Sequence, residues 1–290
     1  MPSSTRMLLA SLALACLAFS ATLAANTFST SVSSFSPGGG TFFGGFGDKK
    51  IIGGLPSSIT EHPYLAAVTI IRGKSYQHQC GGSILDKYHI LSAAHCFDNR
   101  NPNAYFIRVG SDYWRYQGQG SKVKSIMVHP KYNNNTFDYD VAVLRLSKAI
   151  KIDNKKTKAT SLVKVNTVTK ADTVITLIGW GYEDALHSRP IPAKLRAVDI
   201  AVTDQEECEA DYSAFERDIT SRMICGMSTD GELKDSCQGD SGGPVMNKKT
   251  KQQIGIISWG MGCAQMGSPG IFTNLANSEV RSFINTCMKK

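Results

Sequence analysis

Hydrophobic and polar residues follow a new pattern from about residue 51 onward. Beyond that point, short apolar or alternating runs recur between clusters of Gly, Asn, Asp, Ser and Pro. Many short runs at this spacing predict an all-β fold, a sandwich or a barrel. The predicted strands cover residues 65–71, 83–85, 90–92, 106–109, 141–146, 174–178, 197–202, 255–259 and 270–273.

Two segments have features of helices instead. Residues 204–212 open with Asp204, a good N-cap residue, followed by an acidic first turn. Residues 278–288 place apolar side chains near helical spacing, and we expect Ser278 to cap this second helix. These apolar side chains are Val280, Phe283, Ile284 and Cys287.

The N-terminal segment has the three parts of a secretory signal peptide. Arg6 precedes an apolar run over residues 7–18, and a small-residue region over residues 20–25 follows. The run is shorter than the roughly 20 residues of a membrane span. We therefore expect residues 1–24 to be a signal peptide, and we expect the protein to be secreted and extracellular, with no membrane partner.

Residues 25–50 are rich in Ser, Thr, Phe and Gly. Such a composition buries too little apolar surface to offset the entropy of an ordered chain. We expect this segment to be a flexible propeptide, and residues 51–290 to form the folded domain.

The formal net charge of +8 arises from 32 basic and 24 acidic residues. Its densest basic part lacks the interleaved aromatic residues that favour nucleic-acid binding, so we expect no nucleic-acid partner. A solvated connector is the favoured interpretation, with a polyanion-binding surface as the alternative. The lysines concerned are Lys148, Lys151, Lys155, Lys156, Lys158, Lys164 and Lys170.

Of eight cysteines, Cys16 lies in the predicted signal peptide, which leaves seven. Secretion favours disulfides, but the sequence alone does not determine their connectivity. The chain has no C-x-x-C motif and no paired histidines at ligand spacing, so we expect neither a metal site nor another cofactor.

A candidate nucleophile lies in the stretch Asp-Ser-Cys-Gln-Gly-Asp-Ser-Gly-Gly-Pro at residues 235–244. Its glycines leave the hydroxyl of Ser241 open, but a serine hydroxyl needs a base to take its proton. His95, in Leu-Ser-Ala-Ala-His-Cys, can be that base. Asp140, among strand-forming residues, can hold the imidazole in the required tautomer.

The chain order His, Asp, Ser separates two families. The sequence Gly-Asp-Ser-Gly-Gly also fits the G-x-S-x-G elbow of α/β-hydrolases, which requires a histidine after the serine. No histidine follows His187, so that interpretation fails. The three motifs in this order resemble those of trypsin-like serine proteases of the chymotrypsin family, from Ile51 to the C-terminus.

This resemblance implies two six-stranded antiparallel β-barrels, about 51–164 and 165–290, with the active-site cleft between them and a C-terminal helix. It further implies that the amides of Gly239 and Ser241 form the oxyanion hole. His95 and Asp140 are then expected from the first barrel and Ser241 from the second.

The same resemblance implies a pocket for a basic side chain. Asp235 corresponds to the carboxylate at the pocket base, and Ser236 is expected to add a hydroxyl. Gly260 and Gly270 match the two wall positions. A buried charge needs a partner, so we expect cleavage after Arg or Lys. Phe272 stands where trypsins usually have a pocket-lining tyrosine.

Other parts of the cleft are expected on the same grounds. Ser258, Trp259 and Gly260 would receive substrate backbone as an added strand. Phe137 would stand over the neighbouring subsite, or belong to the core. A glycosylation sequon begins at Asn134 in the same loop.

Resemblance also implies activation of a zymogen by cleavage after Lys50. Ile51-Ile52-Gly53-Gly54 matches the mature N-terminus of the family, whose free amine at Ile51 would pair with Asp240. A cut after Lys50 by an enzyme specific for Lys or Arg allows autoactivation.

The disulfide pairs implied by the resemblance are Cys80 with Cys96, Cys208 with Cys225, and Cys237 with Cys263. Cys287 is then left over, as a buried or capped thiol or as a partner in an intermolecular disulfide.

Many trypsins bind calcium in a loop of the first barrel. Between Gly110 and His129 the only acidic residue here is Asp112, too few for an oxygen-rich site, so we expect no calcium there.

Two divisions of function remain. An inactive binding homologue typically replaces a member of the triad, and all three members are present, so an enzyme is favoured. A short propeptide without an accessory module favours digestive or broadly acting cleavage, with limited proteolysis in a venom, immune or developmental cascade as the alternative. We expect protein or peptide substrates, proteinaceous protease inhibitors as partners, and a monomer.

Overall fold

The computed structural model describes residues 52–97, 100–265 and 267–290. The predicted signal peptide, the whole predicted propeptide with Lys50, and Ile51 lie outside these residues. Within the described residues, the alternating pattern gives two closed antiparallel β-barrels, as expected. Strand β1 (Leu55–Pro56) comes first and pairs with a strand of the second barrel.

The first barrel closes in the order β2-β3-β4-β7-β6-β5. Its strands are β2 (Leu65–Arg72), β3 (Ser75–Ile84), β4 (His89–Ser92), β5 (Tyr105–Val109), β6 (Gln119–Val128) and β7 (Ala142–Leu146). In β5, Tyr105, Ile107 and Val109 are buried and the two residues between them are half-buried. The two-residue period of a strand thus fills the barrel interior from one face.

The second barrel follows the order β9-β10-β13-β12-β11-β8 and closes where β8 pairs again with β9. Its strands are β8 (Val174–Gly179), β9 (Arg196–Val202), β10 (Met223–Met227), β11 (Pro244–Asn247), β12 (Gln253–Trp259) and β13 (Gly270–Asn274). Leu55 of β1 pairs with Ala197 of β9. A segment expected in the first barrel is therefore attached to the second.

All nine predicted strand segments coincide with strands, but five strand regions escaped prediction. They are β1, the first part of β3, and all of β6, β10 and β11. In β6, Lys122 and Lys124 interrupt the apolar pattern, and β11 is four residues long and begins with Pro244. Pairing with neighbours on both sides makes these segments strands despite their weak local signal.

Both predicted helices are present, as α1 (Gln205–Ser213) and α2 (Ser278–Cys287). Asp204 caps α1, accepting hydrogen bonds from the amides of Glu206 and Glu207. The predicted cap of α2 was wrong: Asn277, not Ser278, accepts from the first-turn amides. Asn277 keeps an extended backbone that lets its side chain reach them, whereas Ser278 is already helical.

The three expected disulfides are confirmed: Cys80–Cys96, Cys208–Cys225 and Cys237–Cys263. Cys287 has no disulfide partner among the described cysteines and is 2% exposed, packed into the core with the apolar face of α2. Burial also raises the pKa of its thiol. Among the described residues, neither helix has the length and apolar character needed to cross a bilayer.

Candidate active site

His95 and Asp140 are brought together by the pairing of β4 with β7. The two strands pair through Ser92 and Ala142, so the residues that follow β4 and precede β7 lie at the same barrel end. His95 lies in a short 3-10 turn there. Its Nδ1 is 2.7 Å from Asp140 Oδ2, and its amide donates to Oδ1 at 2.9 Å. The carboxylate thus fixes both the ring and the backbone of His95.

Asp140 is fully buried and is also held from the second barrel. Ser258 Oγ donates to Asp140 Oδ2 at 2.5 Å, and Thr273 Oγ1 donates to the Asp140 carbonyl oxygen at 2.8 Å. A buried carboxylate with several donors has its charge compensated without a cation. The sequence indicated Ser258 only as part of the substrate edge, so this contact with Asp140 is an additional finding.

Ser241 lies in a tight turn between Cys237 and β11. Gly242 in that turn has φ +80°, and a Cβ there would lie 2.2 Å from Ser92 Oγ, so the position requires glycine. Ser241 and His95 line the same cavity, of 240 Å³. The Cys96 sulfur lies 3.9 Å from His95 Nε2 and 3.8 Å from the Ser241 carbonyl oxygen. It therefore contacts both residues where the two barrels meet.

The amides of Gly239 and Ser241 have no hydrogen-bond acceptor among the described residues. The Gly239 carbonyl, in contrast, accepts a 2.8 Å hydrogen bond from His78 Nε2. Burial lowers the pKa of His78 to about 4, so the ring is neutral near pH 7 and its Nε2 carries the proton. His78 orients this peptide unit, a role that sequence reasoning missed because its only signal is its position two residues before Cys80.

Asp235 lines the same cavity as Ser241 and His95. Asp235 accepts hydrogen bonds from the Ala264 amide at 3.0 Å and the Ser236 amide at 2.7 Å, while Ser236 Oγ is 3.3 Å away. Burial raises its pKa to about 6. No cation among the residues that the structure describes pairs with Asp235, so a buried carboxylate without a counterion lies in the cavity with the Ser236 hydroxyl.

Two glycines shape the walls of this cavity. A Cβ on Gly260 would point across it and lie 3.9 Å from Gly270 Cα, and a Cβ on Gly270 would lie 3.1 Å from Asp235 Oδ1. Any larger side chain at either position would narrow the approach to the carboxylate. Phe272 was expected at a pocket-lining position, but its side chain does not line this cavity. It is fully buried, with its ring packed next to Gly270.

Phe137 and Trp259 border the cavity on the His95 side. The Phe137 ring is 5.7 Å from the His95 ring in an edge arrangement and is stacked on Trp259 at 6.1 Å. Phe137 thus lies at the cavity rather than in the core. Gln238 also lines the cavity, and its exposed side chain meets His187. Sequence reasoning did not single out Gln238.

Asp240 is buried beside Ser241, and its carboxylate accepts from the amides of Gly181 at 2.7 Å and Cys237 at 3.1 Å. Burial raises its pKa to about 7. No cation among the described residues pairs with it. A Cβ on Gly181 would lie 2.3 Å from Asp240 Oδ2, so the carboxylate is tightly enclosed.

Two groups of His and Cys among the described residues are close enough to hold a metal ion, but both use disulfide sulfurs. A sulfur in a disulfide is not the thiolate that a metal requires. Asp112 is also engaged, because its Oδ1 accepts a 2.6 Å hydrogen bond from the Ile59 amide.

Comparison with known proteins gives a consistent result. The family model Trypsin matches residues 51–284. A trypsin from Simulium vittatum is 39% identical over 224 residues, covering 77% of this chain and 87% of that protein.

Two further relatives match most of the chain. Hypodermin-A from Hypoderma lineatum is 35% identical over 237 residues, covering 82% of this chain and 87% of that protein. Trypsin alpha from Drosophila melanogaster is 34% identical over 229 residues, covering 79% of this chain and 84% of that protein. With its double barrel and the facing histidine and serine, the chain belongs to the trypsin family and is a trypsin-like serine endopeptidase.

Proposed function

We propose that this protein is a secreted endopeptidase, made as a zymogen, that cleaves peptide bonds after Arg or Lys. The observation that carries the specificity is Asp235, a buried carboxylate in the cavity that holds Ser241, with no cation partner in the described part of the chain. The glycine walls at Gly260 and Gly270 leave room for a long side chain. A guanidinium or ammonium group would supply the missing charge, whereas an apolar side chain would leave the carboxylate unpaired.

In the proposed mechanism, Ser241 attacks the scissile carbonyl carbon as His95 takes its proton. Asp140 orients the ring and stabilises its charged form. The amides of Gly239 and Ser241 receive the developing oxyanion, and one such donor is worth roughly 10² to 10³ in rate. His95 then protonates the leaving amine, and water releases the acyl group by the same steps in reverse.

Substrate binding is proposed to use the C-terminal end of β12, which extends beyond its pairing with β11. Ser258, Trp259 and Gly260 would pair with the backbone before the scissile bond. Phe137, stacked on Trp259, would contact the side chain that precedes the basic residue. Peptide substrates and protease inhibitors of the family would share this cleft, and we propose that the enzyme acts as a monomer.

Zymogen activation is proposed to end with a pair between the amine of Ile51 and Asp240. The support is the enclosed carboxylate of Asp240, which pairs with no cation of the described residues, together with the position of Ile52, whose carbonyl accepts from the Asp235 amide at 3.2 Å. An unpaired buried charge costs about 3–5 kcal/mol. Supplying the amine would stabilise the segment that carries both Gly239 and Ser241.

The experiment that tests the specificity compares Arg, Lys, Phe and Leu ester substrates on the activated enzyme. Wild type is expected to favour Arg and Lys, and Asp235→Ser to lose that preference while keeping turnover of the apolar esters. The matched control, Asp218→Ser, changes an exposed aspartate and is expected to behave like wild type. A wild-type preference for Phe or Leu would refute the assignment of the cavity. Digestion of a mixture of denatured proteins then separates broad cleavage, which we propose, from cleavage at a few sites.

A further inference from the structure

A second cavity, of 630 Å³, opens on the first barrel and shares no lining residue with the active-site cavity. One acidic side chain lines it, Asp86. Four basic side chains also line it: Lys87, Arg145, Lys289 and Lys290. No carboxylate of the described residues forms an ion pair with any of the four. The basic side chains outnumber the acidic one, so the cavity carries an excess of positive charge.

His89 of β4 and Arg145 of β7 are directly opposite each other across the two paired strands. Directly opposite residues have neighbouring side chains on one face of a sheet. His89 Nε2 and Arg145 Nε are both buried, and neither has a hydrogen-bond partner among the described residues. Buried polar atoms are nearly always paired, so two such atoms on neighbouring residues that line one cavity point to a shared ligand.

Asp86 determines which side of the His89 ring is free. Its carboxylate lies 2.9 and 3.0 Å from Nδ1 of His89, and it also accepts from the Tyr88 and His89 amides. Nδ1–H is thus donated to Asp86, and Nε2 is on the opposite edge of the ring. Asp86 carries a single negative charge against the four basic side chains of the cavity, so it offsets only part of their charge.

The charge of the ligand follows from the donors. Arg145 Nε is a donor only, so its partner must be an acceptor. Lys87 Nζ and the Arg145 guanidinium carbon lie 5.5 and 5.6 Å from the centre of the Tyr88 ring, so both cations contact the same residue of the cavity. An acceptor that also carries negative charge fits this arrangement, because charge-assisted hydrogen bonds are the stronger kind.

We propose that this cavity binds the sulfate groups of a sulfated polysaccharide. A sulfate ester offers several acceptor oxygens to Arg145 Nε, and a sugar hydroxyl of the same ligand can donate to His89 Nε2. The lysines at the rim can contact the next groups along the chain. The basic connector lies beside the cavity, because the Ile150 amide donates to the Lys87 carbonyl at 2.9 Å. The positive surface thus continues from Lys87 towards Lys148 and Lys151, which suits a long polyanion.

A phosphorylated peptide fits less well. Both β4 and β7 are paired on each side in a closed barrel, so neither offers a free edge to a peptide backbone. The proposed binding is independent of catalysis, and it places the enzyme on a sulfated matrix while the cleft remains open.

The test uses the Ser241→Ala chain, which removes the proposed nucleophile, and immobilised heparin as the sulfated probe. The cavity variant Lys87→Gln/Arg145→Gln is expected to bind at least about tenfold more weakly at about 0.15 M salt. The slope of log affinity against log salt should fall by about two, one for each cation removed. The matched control, Lys155→Gln/Lys156→Gln, loses the same charge from the exposed connector and is expected to change affinity less than about twofold.

Two further variants guard against misfolding. Lys289→Gln/Lys290→Gln changes only exposed cavity side chains and should also weaken binding, and His89→Gln should weaken it without removing a lysine or arginine. When the same substitutions are made in the enzyme that retains Ser241, cleavage of a small Arg ester should be unchanged. Equal losses in cavity and connector variants would show a diffuse charge effect and overturn the proposal. Stronger competition by a phosphopeptide than by free heparin, or no loss in any cavity variant, would overturn it as well.

Discussion

Ser258 Oγ and His95 Nδ1 meet at the same atom, Oδ2 of Asp140, at distances of 2.5 and 2.7 Å. The serine comes from the second barrel, whereas the histidine and aspartate come from the first. The carboxylate that orients His95 is therefore held from across the cleft, which couples the packing of the two barrels to the position of the imidazole.

This relationship predicts the effect of Ser258→Ala. Loss of a hydrogen bond to a charged group costs about 1.5–3 kcal/mol, so kcat/KM should fall roughly tenfold to a hundredfold. Steady-state kinetics with an Arg ester measure it. Ser282→Ala, on the exposed side of α2, is the control and should leave kcat/KM unchanged. Activity equal to wild type in Ser258→Ala would mean that the bond contributes nothing to orientation.

The proposed nucleophile and base should behave as one unit. Ser241→Ala and His95→Ala are each expected to be nearly inactive, and the double variant little worse than either, because neither residue works without the other. Rates of ester hydrolysis measure this, together with labelling of Ser241 by a serine-directed phosphonate. Losses that add up in the double variant would contradict the arrangement.

Asp235 should give the specificity a pH dependence. Burial raises the pKa of its free carboxyl group to about 6. Below that pH the group is neutral and no longer favours a basic side chain, and above it the charge is present. The ratio of kcat/KM for an Arg ester to that for a Phe ester should therefore rise with pH and level off above about pH 7.

The ionisation of His95 affects kcat/KM for both esters equally, because both reactions need the neutral imidazole. Its effect therefore cancels in the ratio. In Asp235→Ser the ratio should be low and independent of pH. The range from about pH 5 to about pH 8 includes the pKa of about 6. A wild-type ratio that stays constant over this range would contradict the assignment of Asp235.

Asp240 should destabilise the uncleaved chain at neutral pH. Its pKa rises from 3.8 to about 7 on burial, so the folded state holds a proton that the unfolded state has lost. Stability should therefore decrease as pH rises from about 4 to about 7 and then become constant. In the uncleavable Lys50→Gln background, Asp240→Asn is expected to gain up to about 4 kcal/mol at pH 8 and nothing near pH 4. Urea unfolding at the two pH values measures the difference, and equal effects at both would count against a buried, unpaired carboxylate.

Activation should depend on Lys50 and not on its neighbour. Addition of a trace of active enzyme to the proform is expected to produce activity together with a new N-terminus at Ile51. Lys50→Gln should stay uncleaved and inactive, while Lys49→Gln, the matched control, should activate normally. Full activity of an uncleaved Lys50→Gln chain, or an active enzyme that begins at another residue, would refute the proposed pairing with Asp240.

Cys287 should be the one free thiol of the mature protein. It is 2% exposed in the core face of α2, so it cannot reach a partner molecule while the helix is packed. Thiol counting after denaturation should find one thiol and three disulfides. A covalent dimer on non-reducing gels would support the intermolecular alternative instead.

Local sequence determined much of this protein. Alternation in segments such as β5 marks a strand because one face must be buried, and Asp204 marks the start of α1 because its carboxylate can reach amides two and three residues ahead. The residue types and their order, His95, Asp140 and Ser241, indicated the chemistry, since each type has one suitable role in acyl transfer. These signals depend on residues that are close in sequence, so they can be recognised from the sequence alone.

Tertiary structure decided what depends on distant partners. Strands β6 and β11 form because neighbours pair with them on both sides. Ser258 reaches Asp140 although 118 residues separate them, and His89 lies opposite Arg145 only through the register of β4 with β7. The periodicity of a segment does not predict which strands will pair with it, because the pairing depends on contacts between distant segments when the barrels close around their cores.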